Sequence, residues 1–207
     1  MTTPEAVLEF WFGREPSTWD DLLTSVRRWS ATLDQAVGEQ FGESIPRAIA
    51  GELDHWADSR DGTLALVLLL DQFPRHVFRG TAHQYDGDAR ALDLVRRAWR
   101  EGWPHELPAF RAMFMLMPLA HSEQLEHHQF HLQLSPQVAA RTPEFWGEIG
   151  KIGESQALKY HAIIERFGRF PHRNAMLGRT STPEELEWIE QGGPERMAPD
   201  FLRGKPA

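Results

Sequence analysis

The chain has no cysteine, which excludes disulfides, thiolate metal sites and cysteine nucleophiles. Lysine is scarce as well: three lysines stand against nineteen arginines. Codon usage accounts for that bias as readily as bidentate anion recognition does. Long apolar runs are missing, and Leu64–Leu70 is far too short to span a bilayer. Met1–Ala6 has neither a basic n-region nor an apolar h-region, so no secretory signal is expected and the cytoplasm is the expected location. Alternating β-branched runs and strand-flanked Asn-Gly or Asp-Gly turns are also absent, which removes the usual marks of a β-protein. A net charge of −8 argues against a general nucleic-acid binder.

What is present reads as helix. The 207 residues are 41% hydrophobic and 25% charged, ordinary values for a globular domain. Thr-Pro-Glu occurs at 3–5, 142–144 and 182–184. Each copy offers Thr as N-cap, Pro at the first helical position and Glu in the first turn, and Thr182 and Glu185 add capping-box spacing. After Thr142, apolar and amphipathic residues recur at helical steps from Phe145 to Phe167, and Gly168 stands where a C′ glycine belongs. Leu64–Leu70 is assigned to a buried helix by its leucine and alanine content, with Asp61 or Thr63 as cap. Further helices are expected over 4–12, 30–50, 88–101, 106–117 and 120–134. No linker divides the chain, so residues 1–191 are read as one helical domain and 192–207 as an extended tail.

Positive charge gathers at two rhyming stretches, Asp71-Gln-Phe-Pro-Arg-His76 and Phe167-Gly-Arg-Phe-Pro-His-Arg-Asn174. Residues 161–180 hold four arginines against Glu165 alone. Proline is expected to end the preceding helix at each Phe-Pro, leaving Arg and His on rigid corners that converge on an anion. The plainer reading is cations at helix C-termini. Asp71, after seven apolar residues, is read either as an ion-pair partner of an arginine or as a base or orienter of His121 or His172. The segment 121–131 holds four of the ten histidines. Its His-x-x-x-His spacing suits a metal on a helix face, against the alternative of a polar face rich in imidazole. The tryptophans, Trp11, Trp56, Trp99, Trp103 and Trp146 among them, are read as packing.

Five strings occur together: Leu8-Glu-Phe-Trp-Phe-Gly13, Leu64 through Arg75, Phe78-Arg-Gly-Thr81, Met117-Pro-Leu119 with His121-Ser-Glu123, and Phe167 through Asn174 with Leu177-Gly-Arg179. In that order they resemble the signature of a bacterial family of unknown function, number 924. The resemblance implies an all-α fold, a compact antiparallel α-α array of tetratricopeptide-like type in a single domain. It implies no reaction. His76, Ala120 and His128 depart from the family pattern.

Catalytic candidates are His121 and Glu123, at family signature positions, as general acid and base, together with Asp71. Substrate-binding candidates are Arg75, Arg79, Arg169, His172 and Arg173. No metal or cofactor is assigned. Three functions stay open: an enzyme acting on a small carboxylate or phosphate, a helical adaptor for a peptide, and a metal or haem protein using His76, His128 and their neighbours. The density of titratable groups in few segments favours the enzyme. The expected partner is a small anionic molecule or peptide, with no nucleic acid and no membrane, and the oligomeric state is left open.

Overall fold

The computed structural model describes residues 2–31 and 33–193, and every regular element among them is helical. The first four are α1 (Pro4–Phe12), α2 (Trp19–Ala31), α3 (Leu33–Phe41) and α4 (Ser44–Ile49). Thr3 caps α1 as expected, its hydroxyl accepting the Ala6 N–H at 3.3 Å. That fixes a helix face of Val7, Leu8, Trp11 and Phe12 against the core.

Helix α2 was not foreseen, although its start carries a reciprocal cap. The Asp21 N–H donates to the Thr18 hydroxyl at 3.1 Å, and the Thr18 N–H donates to the Asp21 carboxylate at 3.2 Å. The single helix expected over 30–50 is instead two, α3 and α4, separated by a turn at Gly42–Glu43, where Gly42 is a poor helix former.

The centre of the molecule is α5 (Arg60–Val67), which packs on α1 and on two later helices, α7 (Asp88–Arg100) and α9 (Ala109–His121). Its cap is Ser59 rather than Asp61 or Thr63: the Ser59 hydroxyl accepts the Gly62 N–H at 3.1 Å. Leu64–Leu70 is buried throughout, so this run is core. Beyond it the chain stays helical into α6 (Phe73–Val77). The remaining helices are the one-turn α8 (Trp103–Glu106), α10 (Leu125–Ala139), α11 (Ile152–Phe167) and α12 (Pro183–Glu190), with a 3₁₀ stretch over Glu144–Lys151 in place of the expected first turns of α11.

Helices α9, α10 and α11 pack on one another, and the three-residue link 122–124 makes α9 and α10 an antiparallel hairpin. A break was expected around Pro118, but α9 continues through it to His121, with Pro118 among the buried residues of the helix. Burial of that apolar face offsets the missing backbone hydrogen bond. Gly168 ends α11 as anticipated, with φ of 68° and its N–H donated to the Ile164 carbonyl at 2.8 Å.

One large core runs through α1, α3, α5, α7 and α9, and a smaller one joins Ile163, Ile164 and Phe170 with Tyr160, Phe167 and Trp188. Trp11, Trp56 and Trp146 are buried, and Trp99 and Trp103 pack against the large core. Trp29 and nearly all of the expected tail lie outside the described side chains. Among the described residues no helix is long and apolar enough to cross a membrane.

Candidate functional site

The first Phe-Pro does not turn the chain out of its helix. Pro74 has no N–H to give the Leu70 carbonyl, and the ladder accommodates this with a π-helical turn over Leu68–Gln72, in which the Phe73 N–H reaches back to the Leu68 carbonyl. The backbone of Gly87 packs onto the Leu70 carbonyl, so closely that a Cβ there would lie 2.1 Å from its oxygen. Only glycine fits. The widened turn holds Asp71 with its side chain fully buried and surrounded by donors. His121 Nδ1 lies 2.7 Å from one carboxylate oxygen and Gln72 Nε2 donates to the other at 2.5 Å. Arg75, one turn on, donates to the Asp71 carbonyl at 2.5 Å and pairs with its carboxylate at 3.3 Å.

The same Arg75 grips Asp88, at the start of α7, through two bonds of 2.8 and 3.0 Å. A fully buried carboxylate and a partly buried one thus share one guanidinium, and their affinities for protons are driven apart. Burial favours the protonated form of Asp71, but Arg75 and His121 outweigh it and hold the carboxyl well below its usual range. Asp88 is pushed upward by burial, with the Asp71 charge adding to it. Burial also lowers His121, against the opposing pull of Asp71. An ionised Asp71 accepting from Nδ1 fixes the neutral imidazole tautomer whose Nε2 carries the free lone pair.

The second corner supplies Arg173. Its guanidinium lies over two aromatic rings, 4.6 Å from the Tyr85 centroid and 4.4 Å from that of Phe170. Its nearest countercharge is Asp88 at 3.9 Å, already taken by Arg75. The side chain is 8% exposed, and its buried Nε has no hydrogen-bond partner among the described residues. Burial and the neighbouring Arg75 push the Arg173 guanidinium down from its ordinary value. His172 packs against Phe170 at 5.6 Å, its buried Nδ1 likewise without a partner. Burial lowers that imidazole to about 4, so it is neutral at neutral pH.

The two corners therefore meet, bringing Asp71, Arg75, His121 and Arg173 together around Tyr85 and Asp88. The other candidates stand beside or away from this group. Glu123 accepts two bonds from Arg179, at 2.6 and 3.0 Å, and the Phe170 N–H at 2.8 Å. Burial would raise this carboxyl, but those bonds bring it below its usual range. Arg169 is engaged by Glu185, its bonds of 2.6 and 2.8 Å holding that carboxyl near 2, and Glu185 also completes the expected capping box with Thr182. Arg79 and His76 both bind Asp34, at 2.9 and 2.8 Å.

The histidine-rich segment disperses. His127 meets the Ser122 hydroxyl and Arg96, and His128 Nε2 donates to the Ser122 carbonyl at 2.7 Å. His131 turns elsewhere. Among the described residues no three metal-ligating side chains come together.

Asp88, Tyr85 and Arg179 were not among the sequence candidates. Tyr85 had a signal, since the chain has two tyrosines, one stacked on Arg173 and the other, Tyr160, packed 6.0 Å from Phe170. Asp88 looks in the sequence like an ordinary first-turn acid.

No curated protein matches the chain with significance. A solved structure of a protein of unknown function from Agrobacterium tumefaciens is similar to it, with 33% identity and a TM-score of 0.75 over 91% of this chain and 97% of that one. Residues 7–193 match the family described as bacterial protein of unknown function, DUF924. With residues 7–193 of its 207 matched, the chain belongs to that family.

Proposed function

We propose that the protein is an enzyme that binds a small carboxylate or phosphate at Arg173 and moves a proton through His121. The observation that carries this reading is Arg173: a buried cation held over two aromatic rings, whose Nε has no acceptor among the described residues while the nearest carboxylate is bound to another arginine. A guanidinium so held is pre-organised for a planar anion, since its orientation is fixed before the anion arrives. His121 supplies the proton chemistry. Asp71 orients the ring and its Nε2 is the base, in the manner of other Asp–His pairs. His121, Arg75 and Asp88 keep 17%, 17% and 20% of their side chains exposed, so a small molecule can reach them. Tyr85, beside the same arginine, adds a hydroxyl.

The test separates a ligand arginine from a scaffold arginine. Arg173→Met retains the packing against the rings and removes the charge, whereas Arg173→Ala removes both. Thermal unfolding of the wild type with a panel of small carboxylates and phosphates should show a saturable rise in Tm for at least one of them. Both variants should lose that rise, and Arg173→Met should keep its ligand-free Tm within a few degrees. A panel that leaves the wild type unmoved, with a collapse of Arg173→Met in the absence of ligand, would make Arg173 a structural group.

A further inference from the structure

Between α9, α10 and α11 lies a cavity of about 230 Å³ that contains none of the charged groups described above. Met113, Met117 and Ala120 of α9 form one wall, Val138 of α10 a second, and Gly153 and Tyr160 of α11 the third. These are apolar surfaces apart from the tyrosine hydroxyl. Gly153 keeps the space open, because a Cβ there would already touch the Met113 methyl at 3.7 Å, and a longer side chain would project further.

Besides Tyr160, three polar side chains line the cavity: Gln156, whose amide Nε2 donates to the Tyr160 hydroxyl at 3.2 Å, and the pair His131 and Ser135. His131 and Ser135 stand one helical turn apart on α10 and line the same cavity. They are 6% and 5% exposed, yet His131 Nδ1 and Ser135 Oγ have no hydrogen-bond partner among the described residues. Leaving such a buried group unsatisfied is destabilising. Alanine and leucine at these positions would remove that cost and close the gap. Burial lowers the His131 imidazole to about 4, so it offers one donor and one acceptor and no charge. Among the described residues no acid, lysine or arginine lines the cavity. A charged ligand would therefore lose its hydration without gaining a partner.

Size narrows the ligand further. An apolar cavity of about 150 Å³ takes benzene. By proportion, this one takes roughly nine non-hydrogen atoms.

We infer that the cavity binds an uncharged organic molecule of that size, its apolar body against the methionines and its single hydroxyl bridging Ser135 and His131. The hydroxyl accepts from one of the two and donates to the other, which satisfies both at once. This assignment stands apart from the anion reading of Arg173 and does not depend on it.

The test uses the full chain labelled with ¹³C at the methionine methyls and two probes of equal size, 4-ethylphenol and 4-ethyltoluene. Titration with 4-ethylphenol should shift the Met113 and Met117 methyls saturably, while Met176, which does not line the cavity, stays put. The probe without a hydroxyl should bind about three- to tenfold more weakly, the worth of one net hydrogen bond. Ser135→Ala should erase that preference. Gly153→Leu should abolish binding of both probes. If that variant fails to fold, the comparison of the two probes on wild type and Ser135→Ala decides alone. Absence of a saturable shift at Met113 and Met117, or a hydroxyl preference that survives Ser135→Ala, overturns the assignment.

Discussion

Asp71 is the residue on which the charged cluster turns, because its full burial makes its charge dependent on its neighbours. His121, Gln72 and Arg75 all donate to it, and removing the charge leaves Arg75 and His121 facing a buried amide. Asp71→Asn is expected to cost about 3–5 kcal/mol in urea unfolding, the range for breaking one side of a buried charged pair. The same substitution should change His121. In the wild type, ¹⁵N chemical shifts at neutral pH should show a neutral ring with the proton on Nδ1, since the carboxylate 2.7 Å away accepts it. In Asp71→Asn the shifts should move toward a mixture of tautomers. An unaltered His121 spectrum in a folded variant would mean that Asp71 does not orient the ring.

At the scale of the element, the π-helical turn makes that buried aspartate available. It exists because Pro74 cannot close the α-ladder onto Leu70, and because Gly87 lets the start of α7 approach the freed carbonyl. Gly87→Ala places a Cβ 2.1 Å from that oxygen, which neither helix can relieve without moving. The expected cost is about 3 kcal/mol, at the upper end of ordinary overpacking, measured as a fall in the urea midpoint at constant m-value. Such rigidity was hidden in the letters, where Phe-Pro reads as a helix terminator. Local signals were legible when they were self-sufficient: the Thr3 and Thr182 caps, the Gly168 C′ position and the buried Leu64–Leu70 run each need only their own neighbours. Pro74 and Pro118 were misread as breaks because tertiary burial, absent from local patterns, overrides the proline. Helix α2 was passed over for a different reason, its Thr18–Asp21 cap being as plain in the sequence as the one at Thr182.

Across the whole molecule, the same limit shaped the reading of the site. Asp71, Arg75, His121 and Arg173 stood out because each interrupts an apolar or proline-marked context, whereas Asp88 and Tyr85 sit in segments that look like an ordinary helix start. Only the packing of α7 against α5 and α9 reveals what they serve. Burial of so many imidazoles also has a consequence for the molecule as a unit. His131 and His172 are each lowered to about 4 by burial, and burial likewise lowers His76, His121, His127 and His128. An unfolded histidine titrates near 6.5, so between that pH and about 4 the unfolded chain binds more protons than the folded one. Stability rises with pH wherever this holds. The contribution is therefore complete above about 6.5 and drains away on acidification. The paired carboxylates act later: Asp34, lowered to about 2 chiefly by its bonds from Arg79, loses its contribution only as pH falls from the ordinary carboxylate range toward that value. Acid unfolding should thus begin well above the range where carboxylates protonate. Urea unfolding measured from pH 7.5 down to 4.5 should show a continuous loss below pH 6.5. By pH 4, His131 and His172 should each have contributed on the order of 3 kcal/mol to that loss. His131→Phe removes one titrating group while keeping an aromatic ring, and near pH 5 it should flatten the slope by about 1.4 kcal/mol per pH unit. A stability that stays level from pH 7.5 to 5, or a slope unchanged in His131→Phe, would show that these histidines are already protonated in the native fold.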